Sequence, residues 1–113
     1  MTAPIVTHVV DHTGSSDPKH FKSTLFESER LLLGVNCLEP GQSQPPHTHA
    51  GQDKAYLVMQ GWGRFLVGTR EIEAAQGSVI WAEAGVVHGV HNDGAERLVL
   101  VVAIAPGPSR DRG

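Results

Sequence analysis

Short apolar segments recur along the chain, and turns containing glycine or proline separate them. The segments are rich in Val, Leu, Ile and aromatic residues, which favour strands. The candidate strands cover residues 5–10, 25–26, 31–38, 55–60, 64–67, 71–74, 78–81, 87–90 and 97–105. No stretch longer than about ten residues keeps a helical apolar period without a glycine or proline. Many short strands without intervening helices predict an all-β fold, either an antiparallel sandwich or a barrel.

Within this pattern, residues 64–74 predict a tight hairpin. Gly68 suits the turn because glycine tolerates the positive φ that such loops need. Strand alternation then directs Glu71 and Glu73 to water and Ile72 to the interior. The segment from residue 11 to residue 20 is polar and is expected to form a loop.

Length and composition fit one small domain. The chain has 113 residues, of which 40% are hydrophobic and 19% charged, and this balance is typical of a soluble globular protein. We expect one barrel domain over residues 1–105 and a flexible tail over residues 106–113, which lacks apolar anchors.

Charge and cysteine content exclude several function classes. A net charge of −3 does not give the basic surface that nucleic acid or anionic lipid requires. The longest apolar run is too short to span a bilayer, and the first residues lack the pattern of a signal peptide. Cys37 is the single cysteine, which excludes an internal disulfide. These features predict a cytoplasmic protein without nucleic-acid or membrane partners.

Histidine is more common than lysine in this chain, and three histidines have the spacing of metal ligands. His47 and His49 follow Pro45-Pro46, which restricts the backbone to extended conformations. Residues i and i+2 of an extended chain project to the same side, so both imidazoles share a face. His88 lies in another β-like stretch and can supply a third imidazole. Three neutral imidazoles at roughly 2.0–2.1 Å form an ordinary shell for a divalent transition metal.

The spacing around these histidines resembles the two motifs of the cupin superfamily. The first motif, G-x5-H-x-H-x(3,4)-E-x6-G, is matched at Gly41, His47, His49 and Gly61. The second, G-x5-P-x-G-x2-H-x3-N, is matched at Gly77, Gly85, His88 and Asn92, with Glu83 at the proline position. The resemblance implies a double-stranded β-helix, or jelly-roll barrel, in a single domain like that of the small microbial cupins. It also implies iron, manganese, zinc, nickel or copper on His47, His49 and His88.

The chain departs from the motif where related proteins carry a metal-binding glutamate. Counting back from Gly61 places Lys54 in that position, and the shorter spacing places Asp53 there. Asp53 is in phase with the apolar face of Ala55 and Leu57, so an inward apolar face would make it the fourth ligand. Two alternatives remain open. Water completes a three-histidine site, or Lys54 replaces the metal or pairs with Asp53.

The resemblance implies a metalloenzyme acting on a small polar molecule, of the dioxygenase, isomerase, decarboxylase or lyase type. Tyr56 and Lys54 are the nearest candidate proton donors. The alternative is a non-catalytic, sugar-like small-molecule binding module. A homodimer is expected because an exposed strand edge over residues 5–10 needs a partner.

The remaining histidines and Cys37 are given structural roles. His91 is out of phase with His88 and is expected at the surface. Three others, His8, His12 and His20, have no partner at ligand spacing and are expected to face solvent. Cys37 is expected to be a buried small hydrophobe.

Overall fold

The computed structural model describes residues 5–108, and nearly all regular structure in that range is β-strand. A 3-10 helix, Val9–His12, precedes the strands. The strands are β1 (Phe21–Glu27), β2 (Leu32–Leu38), β3 (Ser43–His47), β4 (Asp53–Gln60), β5 (Trp62–Val67), β6 (Arg70–Ala75), β7 (Val79–Ala82), β8 (His88–His91) and β9 (Leu98–Ala105).

The strands form two antiparallel sheets. One has the order β1-β2-β9-β4-β7 and the other the order β3-β8-β5-β6. Since the chain crosses repeatedly between the sheets after β2, it winds into a jelly-roll barrel. The predicted all-β, double-stranded β-helix fold is confirmed.

The main core lies between the two sheets. Its largest members include Tyr56 and Phe65, whose ring centroids are 5.4 Å apart. Leu98 and Leu100 on the central strand β9 are fully buried in the same cluster. The histidines described below lie outside this apolar cluster, so the core fixes the strands that carry them.

A second, smaller core lies on the outer side of the five-stranded sheet. Val35, Cys37 and Val99 are buried there, and Val9 from the 3-10 helix and Phe21 pack against them. The N-terminal segment therefore covers the sheet as a helical turn. The strand predicted over residues 5–10 is wrong, because Val9 gains more by covering this outer face than by pairing as an edge. Cys37 is a buried free thiol, as predicted.

The other predicted strands agree with β1, β2 and β4 to β9 to within a few residues, except that only two residues of β1 were predicted. The β5–β6 hairpin is confirmed. Val67 pairs with Arg70, and Gly68 between them has a φ of +64°. Glu71 and Glu73 are exposed, and Ile72 is half-buried.

The phase assigned to β4 is wrong. Lys54, Tyr56 and Val58 are the buried residues of this strand, while Met59 is exposed. The inward face is therefore the mixed one, because the barrel encloses a polar cavity at one end rather than a continuous apolar core.

Pro106 and Gly107, which the sequence assigns to the tail, make hydrogen bonds to the body of the barrel. Gln52 Nε2 donates to the Pro106 carbonyl (3.1 Å), and the Gly107 amide donates to the Glu29 carbonyl (3.0 Å). The rest of the predicted tail, residues 109–113, lies outside the described residues. Within the range 5–108, no helix is long and apolar enough to cross a membrane.

Candidate metal centre

The pairing of β3 with β8 positions two of the histidines. His47 at the end of β3 lies opposite His88 at the start of β8. The ladder is irregular between Gln44 and His47, where the two prolines lie. Gly89 allows this close approach, since a Cβ there would be 2.8 Å from the Gln44 carbonyl oxygen. The loop after β3 carries His49, whose carbonyl accepts a hydrogen bond from the Gly85 amide (3.1 Å).

The three imidazoles that the sequence selected converge at one end of the barrel. Their nearest ligand atoms all lie within 4.8 Å of one another. The ring centroids of His47 and His88 are 4.4 Å apart, and those of His47 and His49 are 4.7 Å apart. The predicted convergence of these residues is therefore observed in the structure.

Backbone carbonyls orient two of the rings. Nδ1 of His47 is 2.8 Å from the Pro45 carbonyl oxygen, and Nδ1 of His88 is 3.0 Å from that of Val86. A carbonyl oxygen can only accept, so each Nδ1 carries the proton and each Nε2 has a free lone pair. Metal-bound histidines are commonly held by this type of contact.

Nε2 of His88 is buried and has no hydrogen-bond partner within residues 5–108. A buried polar atom without a partner costs free energy, and a bound cation would satisfy this lone pair. Burial lowers the pKa of His88 and that of His49, and the neighbouring His47 and Lys54 lower both further. For His88 the hydrogen bond to the Val86 carbonyl opposes this lowering of the pKa only in part. Both rings are thus held neutral near pH 7, which is the form that binds metals. The residues present fit a metal ion.

Asp53 does not join this group. Its carboxylate accepts a hydrogen bond from the backbone amide of Ala84 (2.9 Å), across the β4–β7 edge. The side chain was expected to point inward with Ala55 and Leu57, but the inward residues of β4 are Lys54 and Tyr56. The expectation that Asp53 shares the inward face is contradicted, and we do not assign it a ligand role.

Lys54 occupies the position of the missing glutamate, and it is buried. Its Nζ lies 3.4 Å from Gln44 Oε1 and 4.8 Å from the centroid of the Tyr56 ring. Burial, with a smaller effect of Lys22, lowers the pKa of Lys54 to about 8. The ammonium group therefore stays mostly protonated at neutral pH and adds positive charge next to the histidines.

Tyr56 shares the same acceptor. Its hydroxyl donates to Gln44 Oε1 at 2.6 Å, and burial raises its pKa. The phenol consequently remains protonated at all ordinary pH values. Gln44 joins the two candidate proton donors on β4 to the strand that carries His47. No motif in the sequence marks Gln44, and strand alternation could not have identified it, because it lies three residues before His47 with an irregularity of the ladder between them.

A cavity of about 750 Å³ opens next to the centre. His47, His49 and Lys54 line it together with residues of β1, β2 and β9. His20 also lines it, and Nε2 of His20 is buried with no hydrogen-bond partner in the described part of the chain. The prediction that His20 faces solvent is therefore wrong. Nothing in the local sequence indicates this position, because only the pairing of β1 with β2 brings His20 to the barrel mouth.

His91 has a separate role on the outer surface, as expected. It contacts Ser43 on the neighbouring strand, and its Nε2 is 2.9 Å from Asp93 Oδ1. Arg64 Nη2 contacts the same carboxylate at 3.2 Å. Although His91 is only three residues from His88, it points away from the centre and offers a matched control for experiments on the metal ligands.

Comparison with known proteins agrees with this architecture. The family model described as "Cupin domain" matches residues 34–104. An uncharacterized protein of Streptomyces coelicolor is 35% identical over 82 residues, which are 72% of this chain and 77% of the relative.

Solved structures of similar size have the same fold. The TT1209 protein from Thermus thermophilus superposes with a TM-score of 0.87 and 36% identity, covering 91% of this chain and 98% of that one. An uncharacterized conserved protein with a double-stranded β-helix domain from Klebsiella pneumoniae gives a TM-score of 0.88 at 24% identity, covering 93% and 92% of the two chains. The second likeness bears on the fold alone.

Proposed function

The chain belongs to the cupin domain family, and on that premise we propose that it is a small metalloenzyme. His47, His49 and His88 hold a divalent transition metal ion, which is iron, manganese, zinc, nickel or copper. A small polar molecule binds beside the ion in the cavity of about 750 Å³. The observation that carries the proposal is the convergence of three imidazole ligand atoms within 4.8 Å. The buried, unpartnered Nε2 of His88 supports it.

The chemistry of such a site follows from its incomplete protein shell. A divalent ion held by three imidazoles retains open positions where it can polarise a substrate oxygen or a water. The family includes dioxygenases, isomerases, decarboxylases and lyases, and the fold alone does not choose among them.

Lys54 and Tyr56 take the two supporting roles in this proposal. Lys54, with a pKa of about 8, can hold a proton at Nζ and release it near neutral pH. Tyr56 keeps its proton and holds Gln44 through the 2.6 Å hydrogen bond, so it is a positioning residue. Both side chains lie on β4, across the barrel from the strands that carry the histidines.

Metal titration of protein prepared without a histidine tag tests the metal site. One ion should bind per chain, and His47→Ala should remove most of the affinity. His91→Ala is the matched control, because His91 contacts Ser43 and Asp93 on the outer surface. Equal metal binding by His47→Ala and the unmodified protein would overturn the proposal.

The alternative function is a small-molecule binding module that works without a metal. One observation favours it. The buried ammonium of Lys54 adds positive charge beside the three imidazoles, where a glutamate would attract a cation. Failure of metals to bind, together with retained binding of small molecules in the cavity, would identify this alternative.

Two further expectations from the sequence belong with this proposal. A buried free thiol at Cys37 suits a reducing, cytoplasmic setting. A homodimer stays a prediction, although the strand over residues 5–10 that motivated it does not form. Light scattering measures the mass in solution, and a monomer would contradict the dimer.

A further inference from the structure

The cavity beside the histidines has a one-sided charge. The chain contains three lysines, and all of them, Lys19, Lys22 and Lys54, line this cavity. No Asp or Glu of residues 5–108 lines it. The protein as a whole has a net charge of −3, so the positive charge of this cavity is opposite in sign to the charge of the whole protein. A cavity walled by one sign of charge attracts ligands of the other sign.

Lys54 has donor capacity that the protein does not use. An ammonium group has three N–H donors, and the only acceptor that the described residues give it is Gln44 Oε1 at 3.4 Å. The residue is only 4% exposed, so water cannot freely solvate the charge. Lys22, on β1 of the same sheet, adds repulsion. A buried cation in this situation is stabilised by an anion that accepts its remaining hydrogen bonds.

His20 adds a second polar group without a partner. Its Nε2 is buried and makes no hydrogen bond within the described chain, although the residue lines the same cavity. Lys22 and Lys54 both lie close enough to act on its charge. An oxygen acceptor placed among these three side chains would satisfy His20 and Lys54 together.

The lining of the cavity also has an apolar part. Leu32 on β2 and Val102 and Ile104 on β9 supply it, and in the five-stranded sheet these two strands lie between those that carry Lys22 and Lys54. Neither an arginine nor a helix N-terminus, both common in phosphate sites, lines the cavity within residues 5–108. A hydrocarbon chain that ends in a carboxylate matches this combination of apolar surface and cationic groups.

We propose that this cavity binds a small organic acid, whose carboxylate lies among Lys54, Lys22 and His20. This assignment rests on the proposed function in one respect. The other end of the bound acid extends toward the proposed metal site at His47 and His49. It names the substrate class of that site as carboxylate-bearing molecules with a short hydrocarbon body. The carboxylate contact itself does not require a metal.

The test uses thermal unfolding and calorimetric titration with acids and their uncharged amides. Dicarboxylates from succinate to suberate, and benzoate, are compared with succinamide and benzamide. Both the protein as purified and the metal-stripped protein are titrated. Acids should raise the unfolding temperature and amides should not. Lys54→Gln and the exposed Lys22→Gln should each weaken acid binding by about 10-fold or more. Arg70→Gln, an equal loss of charge at the exposed first residue of β6, should leave it unchanged.

Each outcome bears on the assignment. Binding of no acid in the series, or equal binding by Lys22→Gln and the unmodified protein, would overturn it. Equal affinity for inorganic phosphate and for the best dicarboxylate would overturn the carboxylate class. Acid binding by the stripped protein together with failure to bind metal would uphold the assignment and refute the proposed metalloenzyme. Metal binding without acid binding would refute the assignment alone.

Discussion

His47 and His88 face each other in the β3–β8 ladder, and each ring donates from Nδ1 to a carbonyl oxygen two residues earlier in the chain. The acceptors are the carbonyls of Pro45 and Val86. The same local contact thus occurs on two separate strands and leaves the two Nε2 atoms free. Metal binding therefore requires no change of tautomer in these two rings, because the form with a free Nε2 lone pair is already present.

The first prediction concerns these tautomers. In metal-free protein near pH 7.5, nitrogen-15 spectra of the side chains should show His47 and His88 protonated at Nδ1. The carbonyl contacts at 2.8 and 3.0 Å are the cause. Long-range proton–nitrogen correlation spectra distinguish the two tautomers. Spectra with His88 protonated at Nε2 would contradict the orientation of the ring.

The second prediction separates Asp53 from the metal. Asp53→Ala should lower the free energy of unfolding by about 1 kcal/mol, because it removes the acceptor of the Ala84 amide. Asp53→Asn retains an acceptor oxygen and should cost less. Metal titration should give unchanged affinity for both variants. A loss of about 10- to 100-fold in either would restore Asp53 as a participant in the site.

The third prediction is a pH dependence of stability caused by Lys54. Its pKa falls from 10.5 to about 8 on folding, so the native state binds fewer protons than the unfolded state between these values. The free energy of unfolding contributed by this group therefore rises with pH across that window. Below pH 8 the full cost of the buried charge, about 3 kcal/mol, is present.

Lys54→Met removes the free-energy cost of this buried charge. The variant should be more stable than the unmodified protein at pH 7, and the difference should shrink as the pH rises from 8 toward 10.5. Denaturant unfolding of both proteins at several pH values measures it, and other titrating groups cancel in the comparison. A constant difference across this range would show that Lys54 is not electrostatically destabilised.

The fourth prediction concerns the contact between β3 and β8. In Gly89→Ala the new Cβ would lie 2.8 Å from the Gln44 carbonyl oxygen and 3.0 Å from the Pro46 nitrogen. Both neighbours are backbone atoms, so the strands must separate, at a cost of about 1–3 kcal/mol. Metal affinity should fall as well, because His47 moves with β3. Val87→Ala, at an exposed neighbouring position, should change neither property.

The sequence predicted the barrel well because its local signals agree with the tertiary structure. Four glycines that match the cupin motifs have positive φ: Gly41, Gly61, Gly77 and Gly85. The motif asparagine, Asn92, is fully buried and donates from Nδ2 to the Leu38 carbonyl. These residues fix turns and strand ends, which explains why a match at such positions predicts a fold more securely than an activity.

The errors arose where distant contacts override local pattern. Val9 helps to cover the outer core instead of pairing in a strand. On β4, alternation alone favoured the more apolar face as the interior, yet Lys54 and Tyr56 point inward because the barrel encloses a polar cavity. His20 reaches that cavity only through the pairing of β1 with β2. None of these relationships is encoded within a few residues of the positions concerned.

Anomalous diffraction from crystals grown with one equivalent of a transition metal tests the central claim most directly. We expect a single strong peak per chain, within bonding distance of Nε2 of His47 and His88 and of a ring nitrogen of His49. A peak at His91 and Asp93 alone would contradict the proposed metal site. So would the absence of a peak among the three rings in a crystal where metal is fully bound elsewhere.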